Sequence, residues 1–144
     1  MRRTVSTRPL PKIRLDVTPC DPAPIAPAGQ PSEDKESVLP EGTITIQLLP
    51  FLQPEEDSVV GYEVQERAVG MNANSGQQMA LLLLHNQKLL PEDFSEDIYF
   101  PATTYQDASL RYGVLKLSKS SGRWGLEYVW LGIGWYGGCL IQVQ

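Results

Sequence analysis

Apolar and polar positions alternate with a period of two through much of the last third of the chain, which predicts β-strands there. Residues 98–105 are rich in aromatic and β-branched side chains, which suit a pleated, half-buried surface. Pro101 has no N–H to give a ladder, so this strand belongs at an edge or at a bulge. In residues 110–117, Leu115 and Leu117 share one face while Tyr112 and Val114 share the other. The polar stretch 119–122 ends in Gly122 and predicts a hairpin turn with positive φ. Beyond it, Trp124, Leu126, Tyr128 and Trp130 fall on one strand face, opposite Arg123, Glu127 and Val129. Four large side chains in one row predict a core layer, since each aromatic ring buries roughly 150–250 Å².

Upstream, residues 43–48 alternate cleanly and predict a half-buried strand closed by Pro50 and Pro54. Residues 59–67 alternate through Val60, Tyr62 and Val64, predicting a second strand beside the first. Ser75 followed by Gln78 is a capping-box pattern, and the run to about Leu90 predicts a helix. Met79, Leu82, Leu83 and Leu90 lie near one side of it, and Leu81 and Leu84 widen the apolar arc. The predicted fold class is α+β: a small antiparallel β-sheet domain with one main helix, spanning residues 41–144. A chain of 144 residues fits a single such domain.

Residues 1–40 carry eight of the twelve prolines, a density that predicts an extended or disordered arm. Residues 29–37 read as a solvated linker by composition. Within the arm, Ile13, Leu15 and Val17 alternate with Arg14 and Asp16, the pattern of a segment able to add to a sheet edge. Charge is unevenly spread. The first fourteen residues hold five basic groups and no acidic one, whereas residues 43–110 hold ten acidic and two basic groups. The net charge of −5 argues against nucleic acid as a partner.

No stretch of the sequence assembles a catalytic motif. His85 is the single histidine, and Cys20 and Cys139 lie at opposite ends, so neither zinc-ligand spacing nor a disulfide is indicated. Both thiols are expected to be reduced. No G-x-S-x-G elbow or P-loop occurs, and no catalytic residue, metal or cofactor is expected. Acids cluster around the turns at Glu55, Glu56 and Asp57, and again at Glu92, Asp93, Glu96 and Asp97. Solvated surface is the plain account of both groups. The glycine-rich stretch 132–138 surrounds Trp135 and Tyr136, which makes this pair, with Arg123, the candidate binding residues of the domain. Ile13, Leu15 and Val17 are those of the arm. The expected function is therefore a non-catalytic protein-binding or assembly protein, its arm ordering on a partner or a neighbouring subunit. The competing expectation is a small carbohydrate-binding or hydrolytic domain that uses Trp135 and Tyr136 with nearby carboxylates. No apolar run is long enough to span a bilayer, so no membrane contact and a cytoplasmic location are expected.

Overall fold

A computed structural model describes residues 10–17 and 31–144. Its main sheet contains β1 (Lys12–Val17), β2 (Glu33–Asp34), β3 (Gly42–Pro50), β5 (Ile98–Gln106), β6 (Tyr112–Ser120), β7 (Arg123–Trp130) and β9 (Cys139–Val143). A two-stranded ribbon joins β4 (Val59–Val60) to β8 (Gly134–Trp135), and the helices are α1 (Gly61–Gly70) and α2 (Gln77–His85). The strand order is β1-β3-β9-β5-β6-β7, with β2 attached to β5. Neighbours are antiparallel except β5 and β9, which run parallel through the pair Ile98 and Cys139. The sheet is thus mixed rather than purely antiparallel, and it carries two helices rather than one.

The three C-terminal strands stand where the alternation places them. The β6–β7 hairpin turns through Ser121 and Gly122, both at positive φ (52° and 78°), the signature of a type I′ turn. Pro101 sits in a large bulge. Phe100 faces Leu115 and Tyr105 faces Gly113, so residues 101–104 stand against Val114 alone.

Side-chain alternation sorts the apolar residues into two cores, one on each face of the sheet. On one face Ile13, Leu15, Ile46, Phe100, Leu115 and Leu117 pack with Met79 and Leu83 of α2. On the other, Val114, Tyr99 and Leu140 pack with Val64 and Ala68 of α1 and with Phe51, Leu131 and Trp135.

Two expectations change here. Residues 61–70 form a helix, not a strand, because Val64 and Ala68 at a spacing of four make the buried stripe while Tyr62 faces solvent. The first N–H groups of α1 donate to the carbonyls of Ile133 and Leu131, at 3.1 Å each. At Gly61 the helix touches the indole of Trp135 so closely that a Cβ would stand 2.6 Å from the ring. The second change concerns the row on β7. Trp124 is buried, Leu126 and Tyr128 are half-buried, and Trp130 lies at the rim with the Arg111 guanidinium 3.6 Å over its ring.

Residues 12–17 also join the main sheet, although the sequence places the start of the folded domain at residue 41. Ile13 and Leu15 are part of its core. Cys20, Arg2, Arg3, Arg8 and most of the arm's prolines lie outside the described residues.

Trp135→Ala should therefore cost about 3–5 kcal/mol, as for other buried tryptophans, and Trp130→Ala distinctly less. Chemical denaturation of the two variants checks the order. Deleting residues 1–38 removes β1 and Glu36 together. It should lower the unfolding midpoint markedly, as thermal unfolding of the truncated chain would show.

Candidate functional site

Trp135 and Tyr136 do not form one surface. Trp135 is 2% exposed and stacks on Tyr99 at 4.3 Å, with its Nε1 donating to the Trp130 carbonyl at 3.0 Å. Tyr136 is 72% exposed. Pairing of Trp135 with Val59 turns its ring into the core, while Tyr136, one residue past the end of β8, stays out. Arg123 closes the hairpin at the far end of β7 from Trp130, about 23 Å away at strand rise. The three residues therefore do not share one surface.

Several of the acids are engaged in separate local contacts. Arg67 donates to both carboxylate oxygens of Glu56 at 2.6 Å and to the Phe51 carbonyl at 3.0 Å, which ties the turn after β3 to α1. The guanidinium, helped by the Gln53 N–H, holds the Glu56 carboxyl down at about 2, against a usual 4.5. Lys116 lies between Asp97 and Glu127, at 3.5 and 3.6 Å. Cys139 is fully buried, and its thiol donates to Glu96 Oε2 at 3.6 Å. Among the described residues no group of three or more His, Cys, Asp or Glu could hold a metal ion. Nor is any helix among them long and apolar enough to cross a membrane.

The densest polar cluster lies at the N-terminus of α2. Ser75, expected to cap this helix, instead donates to the Ile141 carbonyl. The cap comes from Glu36, whose carboxylate accepts from the N–H groups of Gly76, Gln78 and Met79 at 2.7, 2.8 and 3.2 Å. Thr103 Oγ1 accepts from the Gln77 N–H and donates to Asp34 Oδ1, both at 2.9 Å. Tyr105 donates to Gln77 Oε1, and Gln77 Nε2 donates to Asp34 Oδ2. The approach is close enough that a Cβ on Gly76 would stand 2.3 Å from Thr103 Oγ1. All four free N–H groups of the helix end are thereby satisfied from outside it. By composition Glu36 belongs to a solvated linker, and the signal that could have found it is Pro101, which marks the bulge where this segment docks. The neighbouring cavity measures about 160 Å³ and includes Glu36, Leu39, Asn74 and Ser75 in its lining. Ligand pockets run to roughly 300–1,000 Å³, so it falls short of one.

The two edges of the sheet differ. Gln144 N–H donates to the Thr45 carbonyl on the β9 side, and Leu48 N–H donates to the Pro11 carbonyl on the other. Residues of β3 alternate in direction, so even-numbered ones bond β1 and, by register, odd-numbered β1 residues bond β3. The backbone N–H and C=O of Lys12, Arg14 and Asp16 therefore point away from β3, while their side chains stand on the sheet face opposite Ile13 and Leu15. Among the described residues no strand pairs with that side of β1. At the opposite edge, Trp124 N–H donates to Gln87 Oε1 at 3.1 Å, and Gln87 Nε2 donates to the Trp124 carbonyl at 3.5 Å. One side-chain amide there bonds the outward backbone groups of that one residue as a strand would.

Comparison with protein-family models, with curated proteins and with solved structures finds no match to this chain.

Glu36→Ala should destabilise the protein by about 1–2 kcal/mol, the range for losing a helix cap, which a denaturant titration would measure. The two carboxyls should also be displaced from the usual glutamate range in opposite directions. Glu56 is depressed, so its stabilising share is present above the usual glutamate range and is lost as pH falls from 4.5 towards about 2. Burial, outweighing three backbone donors, raises Glu36, whose share is instead lost as pH rises through its elevated value. Carboxyl-carbon NMR titration checks both directions, and Glu56→Gln should reduce the acid-side loss, leaving the share of Asp107, which the Arg111 N–H also holds down.

Proposed function

We propose that this protein is a non-catalytic binding or assembly protein whose N-terminal strand presents a docking edge to a protein partner. The observation that carries this reading is β1 itself. It is anchored to the domain by the buried Ile13 and Leu15, while Lys12, Arg14 and Asp16 offer outward backbone groups. An extended segment of a partner can add to such an edge through main-chain hydrogen bonds, with side-chain charges selecting it. The arm thus acts after seating on its own β3, and Ile13, Leu15 and Val17 serve as the anchor rather than the contact. Trp135 is enclosed in the second core, so the carbohydrate alternative loses its principal residue.

Arg14→Pro tests the reading. Proline removes the outward N–H, and Arg14 gives no ladder bond to β3, so the fold should survive with an unchanged melting temperature. Complexes formed by the full-length protein, with itself or with another protein, should be lost. A variant that forms the same complexes as the parent overturns the proposal.

A further inference from the structure

We infer that the occupant of the β1 edge is a second copy of this chain, added antiparallel about a two-fold axis at Leu15. This rests on the reading of β1 as a docking edge and goes further by naming the partner. Its separate support is the charge order. Lys12 and Arg14 are basic, Asp16 is acidic, all three are exposed, and these are the residues whose backbone groups face outward.

A two-fold axis lays the strand antiparallel on its own copy. Hydrogen-bonded pairs then join outward-facing residues to one another, so the allowed registers differ in steps of two. Setting Asp16 against Asp16 of the partner subunit, Arg14 against Arg14 of the partner subunit, or Lys12 against Arg14 of the partner subunit places like charges directly opposite. Each such like-charge pair is unfavourable across a strand pair, although setting Arg14 against Arg14 of the partner subunit also places Lys12 opposite Asp16 of the partner subunit and the reverse. The register with Arg14 opposite Asp16 of the partner subunit makes two opposite-charge pairs by symmetry and no like-charge pair. It also sets Leu15 beside Leu15 of the partner subunit, and Ile13 beside Val17 of the partner subunit, so the apolar face continues across the axis. Thr43, beside Asp16 on β3, donates to its Oδ1 at 2.9 Å and so fixes the carboxylate on the exposed face of the sheet. At the β7 edge, by contrast, Gln87 occupies the outward backbone groups of Trp124.

Sedimentation equilibrium of the purified full-length protein tests the inference. The parent should show a concentration-dependent monomer–dimer equilibrium. Arg14→Asp alone and Asp16→Arg alone should each weaken self-association by about tenfold or more, with unchanged thermal unfolding. Mixed in equal amounts, the two variants should form a heterodimer, since each supplies the charges that the other now needs. A parent that stays monomeric at the highest concentration overturns the inference. So do single variants that associate like the parent, or a mixture that does not associate. If the parent is monomeric yet forms a complex with a different protein that Arg14→Pro removes, the second-copy inference fails while the docking-edge reading stands. If no complex sensitive to Arg14→Pro forms, both fail.

Discussion

The bulge in β5 is the constraint on which the rest of the structure depends. Proline cannot donate to β6, and four residues, 101–104, stand where the ladder has room for one. Their backbone groups are buried and need partners. Ser32 N–H and Lys35 N–H donate to the carbonyls of Thr104 and Ala102, while Ser75 accepts from the Ala102 N–H and Gln65 donates to the Pro101 carbonyl. Those bonds bring three separate parts of the chain to one place. They fix residues 32–35 along β5, they set Ser75 beside the sheet, and so they bring Glu36 to the first turn of α2.

Both helices consequently begin on groups supplied from far along the chain. Neither has a side-chain cap of its own; α1 uses the carbonyls of Leu131 and Ile133, and α2 uses Glu36 and Thr103. Short helices have little intrinsic stability in water, so helix formation here is coupled to sheet formation. The Arg67–Glu56 pair adds a second tie, holding the end of α1 to the turn after β3. Asn72, at φ 53°, then ends α1 in the left-handed conformation that asparagine tolerates better than most residues.

The sheet's two margins have opposite character. At β7 a glutamine amide bonds the outward backbone groups of Trp124, and Trp130 is held by Arg111 above its ring and by Asp107, which accepts from its Nε1. At β1 the strand is held firmly from one side and left with charged residues on the other. Charges on an edge strand ordinarily discourage indiscriminate pairing. A pattern that opposes like charges in most registers and in one opposes none restricts pairing without abolishing it, which is why the β1 edge carries the functional proposal.

What the sequence determined by itself was local. Aromatic and β-branched content in 98–105 and alternation in 110–117 and 124–130 report strands because a period of two sorts such residues onto two faces, and Pro101 marks an edge or a bulge because it lacks a donor. The segment 13–17 is likewise legible as a strand. The reach of the tertiary fold decided the remainder. Val60, Tyr62 and Val64 alternate as a strand would, but Ala68 one helical turn beyond Val64 completes a buried stripe once a sheet exists to receive it. Trp135 and Tyr136, equal in sequence, part company because pairing with β4 points one inward. Glu36 looks solvated in a polar linker until the bulge in β5 delivers it to a helix end forty residues away. Alternation and turn chemistry act between neighbours and survive in the bare sequence. The cap, the enclosure of Trp135 and the seating of β1 on β3 are contacts between distant segments, and no local pattern encodes which segments will meet.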